Sequence, residues 1–231
     1  PDFERVGEDD QMMAVIMDVI GLFTGLNAER RANPTHDLAT VIANGHIDGR
    51  PLEDMDTYGY YLIVATAGHD TTSNAIAGGM EALLANPEQL QRLLDDPSLI
   101  DAAVDEIVRW VSPVKHFMRS CQSEFTLASG HTFHRGDWIL LSYPSANRDE
   151  RVFADPFRFD IDRTDADKHL GFGFGRHYCL GAHIARLEIR EFFRELFGRL
   201  AHIEPAGRSE HMASIIVSGP KRLPVSYAFK D

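Results

Sequence analysis

Residues 53–85 carry one unbroken helical pattern, stopped at Asn86-Pro87, and no other segment restricts the fold so tightly. At ~1.5 Å rise per residue it extends about 50 Å, so it reads as a spine along which the remaining chain packs. Ahead of it, residues 10–27 place Met12, Val15, Ile16, Val19, Ile20 and Phe23 at helical spacing, and Asn33-Pro34 breaks the pattern. Residues 35–44 read as a second helix ended by Gly45, and a polar turn over residues 47–51 leads into the spine. Residues 87–94 and 97–111 give two more helices, the latter running into Ser112-Pro113. Beyond Pro113 the period shortens. Residues 125–133 read as a hairpin turning at Ser129-Gly130, and residues 138–143 as an apolar strand. Residues 144–170 are a polar, irregular meander, and a further helix runs from about residue 180 to about residue 200. Residues 213–220 and 225–229 suggest a terminal β-hairpin. The expected fold is mainly α with small β-sheets, in one unit rather than two domains.

Composition narrows the functional classes. With 44% hydrophobic and 25% charged residues, the chain has the apolar content for a core. A net charge of −12 argues against non-specific nucleic-acid binding, which relies on a basic surface. The longest apolar run, residues 60–68, is about half of the ~20 residues that a bilayer requires, so no membrane partner is expected. No charged amino-terminal region precedes an apolar signal segment, which gives a cytoplasmic expectation. The only cysteines are Cys121 and Cys179, a count that suits a reducing compartment and leaves at most one disulfide.

Cys179 stands in Phe172-Gly-Phe-Gly-Arg-His-Tyr-Cys179-Leu-Gly181. Gly173, Gly175 and Gly181 permit positive φ, so the loop can turn tightly and aim backbone N–H groups at the sulfur. The helix that follows adds its positive end, and both effects favour thiolate over thiol. Such a thiolate can be a nucleophile, a redox thiol or a metal ligand. A zinc site would want a second cysteine nearby, and the sequence offers none.

Two further motifs stand out. In Ala67-Gly68-His69-Asp70-Thr71-Thr72, a glycine inside a helix costs ~1 kcal/mol against alanine, so the segment weakens its own helix. Thr71 can bend the helix by bonding back to the Ala67 carbonyl, or the motif can carry chemistry. Glu106-Ile-Val-Arg109 is an i, i+3 acid–arginine pair, which on an exposed helix is worth only ~0.2–0.5 kcal/mol.

Taken in order, these segments resemble the cytochromes P-450. Phe-x-x-Gly-x-His-x-Cys-x-Gly is similar to the family's haem-ligand signature, and Ala-Gly-x-Asp-Thr-Thr to its oxygen-activating helix. Glu-x-x-Arg and a meander arginine complete the set over residues 53–181. The likeness to the bacterial terpineol-hydroxylating members is greatest over residues 112–119 and 136–149. Family members are roughly twice this long and the match begins about midway through them. The chain, which opens at Pro1, therefore resembles the carboxy-terminal part of a single P-450 domain that lacks its amino-terminal portion.

The resemblance implies a haem-thiolate monooxygenase that inserts one atom of O2 into a small apolar, terpenoid or hydrocarbon, substrate. Cys179 would ligate the iron of haem b. Ala67, Gly68, Arg119, Phe172, Gly173, His177, Gly181 and Ala185 would contact the haem, with Arg119 and His177 on its propionates. Asp70 and Thr71 would be catalytic, holding water and delivering protons. Glu106, Arg109 and Arg158 would form a buried structural network, although Phe157 stands where many relatives carry an acid. Ile63, Ala67, Val114, Phe117 and Ile216 would line the substrate side. The expected electron donor is an iron–sulfur, ferredoxin-type protein. It would dock on a basic segment (Lys168, Arg176, Arg186, Arg190 and Arg194 against Glu188 and Glu191), with Arg176 and Arg186 as principal contacts. A peroxide-driven enzyme, a haem sensor and an inert fragment are the rival readings. The acid–alcohol pair Asp70-Thr71 speaks against the first.

Overall fold

The computed structural model describes residues 9–230. Their contacts group into two compact units that divide at Asp70/Thr71, inside the long helix.

The amino-terminal unit contains α1 (Asp9–Ala32), α2 (Leu38–Ala43), the strand pair β1 (His46–Ile47) and β2 (Arg50–Pro51), and the start of α3 (Asp54–Ala85). α1 continues past Asn27 until Asn33-Pro34. Met12's side chain lies outside the described residues. α2 is shorter than the segment 35–44 because Asp37 caps it, accepting from the Thr40 N–H at 2.7 Å. Arg31 ties the elements together: Nη1 donates to Asp54 Oδ1 (2.7 Å), Nε to the Ala43 carbonyl (3.0 Å). The Tyr61 hydroxyl donates to the Ala39 carbonyl (2.9 Å), and its ring meets Phe23 at 5.4 Å.

In the second unit the remainder of α3 is followed by α4 (Pro87–Asp95), a 3-10 turn (Pro97–Leu99) and α5 (Ile100–Val111). Then come β3 (His116–Ser120), β4 (Phe125–Thr126), β5 (Thr132–Phe133), β6 (Trp138–Ser142) and the short α6 (Tyr143–Ala146). The carboxy-terminal stretch holds α7 (Ala182–Arg199), β7 (Leu200–Pro205), β8 (Glu210–His211), β9 (Pro220–Arg222) and β10 (Val225–Phe229). α5 buries Ile100, Ala103, Val104, Ile107 and Val108, the i, i+3, i+4, i+7, i+8 stripe of an amphipathic helix. That stripe meets Leu83 of α3, Leu90, Leu93 and Leu94 of α4, and Ile189, Phe193 and Phe197 of α7 in one core. Gly78 and Gly79 let α3 approach α5: a Cβ on Gly79 would lie 2.7 Å from Ile107 Cγ2, and one on Gly78 2.8 Å from Val111 Cγ1.

β4 and β5 form the expected hairpin, with Gly130 at φ 86° in its turn. β6 pairs antiparallel with β3, a strand the sequence reading does not contain. The terminal β-hairpin expected from residues 213–220 and 225–229 is not formed. β10 pairs with β7, and β9 pairs with β8. Residues 213–219 return toward β3 instead. Lys115 N–H donates to the Ile216 carbonyl (2.7 Å), Ser218 N–H to the Pro113 carbonyl (2.7 Å), and Val114 and Val217 form a bridge.

Candidate functional site

The cysteine loop is built by glycine. Gly173 and Gly175 adopt φ 74° and 69°, a region that side chains disfavour, and the chain doubles back on itself. Cys179 N–H then donates to the Phe172 carbonyl at 2.8 Å, and Tyr178 N–H to the Gly175 carbonyl at 3.0 Å. Gly181 does not use its freedom: at φ −85° it is the N-cap of α7, and its carbonyl accepts from the Ala185 N–H (2.9 Å). Cys179 is a free, exposed thiol. Phe174 and Leu180 of the same loop are each 84% exposed. Cys121 is the opposite case, buried, with its Sγ–H donating to the Ser123 carbonyl at 2.8 Å.

Beneath the loop lies a buried ionic network. Glu106 and Arg109 are both fully buried, and Arg109 Nη2 donates to Glu106 Oε1 at 2.8 Å. The same guanidinium donates to the carbonyls of Asn147 (2.8 Å), Pro156 (2.9 Å) and Arg158 (3.2 Å), so one side chain pins a meander that lacks regular ladders. The second arginine is not the expected one. Arg158 supplies only its carbonyl, and its guanidinium is 66% exposed beside Asp160. Arg163, 6% exposed, places Nε 3.1 Å from Glu106 Oε2 and donates to the carbonyls of Ala154, Asp155 and Arg158. Asp155 sits at φ 46° beside this turn, and its carbonyl and that of Arg158 both accept from the Arg163 guanidinium.

Asn147, fully buried, extends this network to the loop: Nδ2 donates to Ser112 Oγ (2.9 Å), and Oδ1 accepts from the Leu170 N–H (2.7 Å). Neither Asn147 nor Arg163 was found from the sequence. Arg163 could have been, since it too is a meander arginine.

Arg119 Nη1 donates to the Met118 carbonyl (2.9 Å), and His177 closes a short 3-10 turn, Gly175–His177, in the exposed loop. Phe117 packs edge-on against the buried Tyr143 at 6.2 Å. The bridge between Val114 and Val217 brings Val114 and Ile216 to one place, and Phe117 and Ile216 remain half exposed. Ile63, Ala67, Gly68 and Asp70 lie on the part of α3 that groups with the amino-terminal unit, and Thr71 opens the second. His69 Nε2 stands 4.0 Å from Asp70 Oδ1.

The basic face is also altered by the structure. Arg186 does not project freely, as a docking contact would. Its Nε donates to Asp105 Oδ1 at 2.7 Å, and its guanidinium lies 4.5 Å from the Phe172 ring centre. Arg194 pairs with Asp101 and Glu191, both at 2.7 Å, and Arg190 lies 3.9 Å from Asp101. Lys168 and Arg176 stay exposed, without an acid in ion-pair range among the described residues.

These features define a mainly helical protein that presents one accessible thiol from a glycine-turned loop ahead of a helix. A sequence profile of the family Cytochrome P450 matches residues 17–222, and the chain belongs to that family. It is 46% identical to cytochrome P450-terp of Pseudomonas sp over 205 residues, 89% of this chain and 47% of the relative. It is 37% identical to linalool 8-monooxygenase of Pseudomonas putida, over 97% of this chain and 54% of that enzyme. The crystal structure of CYP108D1 from Novosphingobium aromaticivorans superposes with a TM-score of 0.88 at 44% identity, covering 94% of this chain and 52% of that one. The chain thus spans about half the length of the curated relatives it matches. Membership in the family implies haem iron. No described helix is long and apolar enough to cross a membrane.

Proposed function

We propose that the protein containing this chain is a haem-thiolate monooxygenase acting on a small apolar, terpenoid or hydrocarbon, substrate, with a ferredoxin-type iron–sulfur protein as electron donor. The observation that carries this reading is the free, exposed Cys179 on a loop closed by the Phe172 carbonyl, while the other cysteine is buried. The residues fit the group. Cys179 would hold the iron of haem b, and Arg119 and His177 would meet its propionates. Phe172, Gly173, Gly181 and Ala185 would contact it, as would Ala67 and Gly68. When bound, the haem supplies the oxygen chemistry, and a thiolate ligand favours O–O cleavage.

The chain's own residues bind, orient and move protons. Ile63, Val114, Phe117 and Ile216 exclude water and hold an apolar molecule. The names of the relatives support the substrate class, one of them naming linalool. Asp70 would take up a proton from solvent, and the Thr71 hydroxyl would hold it for delivery. Thr71→Ala should therefore let reductant be consumed while product falls and peroxide rises. Product yield equal to the parent's would remove Thr71 from the relay.

The test of the whole reading is spectroscopic. Reduced full-length protein with carbon monoxide should show the red-shifted Soret band of a thiolate-ligated carbonyl. Cys179→His should abolish it and Cys121→Ser should keep it. A Cys179→His variant that retains the band overturns the assignment.

A further inference from the structure

His169 is buried next to an exposed loop, and no part of the proposed chemistry uses it. Both ring nitrogens are engaged. The Gly171 N–H donates to Nδ1 at 2.9 Å, so Nδ1 is an acceptor and the ring proton resides on Nε2. Nε2 in turn donates to Asp105 Oδ1 at 3.2 Å. The same carboxylate oxygen accepts from Arg186 Nε, and Arg186 reaches on to the Tyr178 hydroxyl (3.3 Å) and the Phe172 ring. The His169 ring itself meets that of Phe172 at 5.4 Å. All of these contacts converge on the stretch whose carbonyl, at Phe172, accepts from the Cys179 N–H.

We propose that His169, oriented by Asp105, is a positioning residue for Cys179, acting through the Gly171 and Phe172 backbone. The proposal rests on the haem-thiolate reading above.

The argument is one of fixed backbone geometry. The loop turns at Gly173 and Gly175, where φ is positive and no side chain restrains backbone rotation. Something must therefore fix where the turn begins. Leu170 is fixed by Asn147 Oδ1, Gly171 by His169 Nδ1, and Phe172 by Arg186. The backbone has no slack at Gly171, where a Cβ would stand 2.7 Å from Val108 Cγ1 and 3.2 Å from His169 Nδ1. Metal ligands of many proteins are oriented in this way by a hydrogen-bonded second layer, and loss of such a partner typically costs about 10–100-fold in metal affinity or activity. Here the layer acts on the ligand's backbone rather than on its side chain, because a thiolate has no N–H to donate.

The discriminating variants exploit which ring nitrogen matters. Asparagine places its side-chain oxygen near the Nδ1 position and can still accept from Gly171. Glutamine reaches toward Asp105 and cannot. Leucine does neither. In full-length haem-loaded protein, the readouts are the ferrous carbonyl Soret band, the reduction potential and the rate of haem release to a scavenger. His169→Leu and His169→Gln should release haem about tenfold faster and lose part of the red-shifted band, with a changed potential. His169→Asn should restore the parent's values. If His169→Leu does not fold, the asparagine–glutamine pair decides alone. Equal behaviour of that pair, or a His169→Leu variant matching the parent in all three readouts, overturns the positioning role and leaves the haem-thiolate reading standing. A parent without the red-shifted band overturns both.

Discussion

The Glu106–Arg109–Arg163 network and the loop of residues 172–181 are connected in one unit, and they are built on opposite principles. In the network, charges are buried and matched: Arg109 reaches one carboxylate and three backbone carbonyls. In the loop, a thiol and large apolar side chains face outward. The network meets most of its polar groups within the chain, whereas the loop presents apolar side chains and a sulfur at the surface. Stability and chemistry are thereby assigned to different residues, with Asn147 and His169 as the connections between them.

The contrast predicts opposite consequences of substitution. Arg109→Leu leaves the Glu106 carboxylate buried without its main partner, which costs about 3–5 kcal/mol. Cys179→Ala, at an exposed position, should change the unfolding free energy by no more than about 0.5 kcal/mol while removing the proposed iron ligand. Urea unfolding of both variants measures this, and a comparable loss in the two would erase the distinction. Arg163→Ala against Arg158→Ala sharpens it within the meander. The first removes a buried partner of Glu106, the second only an exposed side chain, worth about 0–1 kcal/mol. If Arg158→Ala proves the more damaging, the network has been assigned the wrong arginine.

The reach of the sequence follows the same division. Features fixed by local chemistry were legible: the spine broken at Asn86-Pro87, the hairpin turning at Gly130, and the glycine turns at Gly173 and Gly175; the burial of Glu106 and Arg109 came only from the family resemblance. Features fixed by distant backbone were not. Arg158 and Arg163 are alike as residues, and only the folded meander shows which guanidinium turns inward: Arg163 is 6% exposed beside Glu106, Arg158 66% exposed beside Asp160. The partner of β10 is β7, chosen because residues 213–219 cross back to Pro113 and Lys115. Arg186 looked like a surface cation because Asp105, which neutralises it, lies 81 residues away in the chain.

Asp105 lies between the two regimes and should report through pH. Burial by itself would raise its carboxyl, but hydrogen bonds from His169 and Arg186 outweigh this and hold it below the ordinary 3.8. A depressed carboxylate stabilises the fold at pH values above its unfolded value, and that contribution is lost as pH falls through the folded one. The parent should therefore lose stability below about pH 4 more steeply than Asp105→Asn, in urea midpoints measured across that range. Parallel profiles would mean that Asp105 is no more than a solvated surface acid.

The smallest effect concerns the electron donor. The chain carries a net charge of −12, and of the five cations near the loop three are paired with Asp101, Asp105 or Glu191. An acidic ferredoxin would meet Arg176 and Lys168, both exposed, rather than Arg186. Fields at physiological salt decay over about 8 Å, so these two local charges outweigh the distant net charge only for a partner already close to the loop. Arg176→Glu should raise the donor concentration for half-maximal reduction by roughly two- to fivefold, the scale of about 0.5–1 kcal/mol for an exposed pair, and added salt should shrink the difference. Arg186→Glu should act differently. By placing a second carboxylate against Asp105 it should disturb Phe172 and the ferrous carbonyl band, with an effect that salt does not remove. If Arg186→Glu alters donor affinity alone, the Arg186 contact read from the sequence stands, and the Arg186–Asp105 pair opens when the partner arrives.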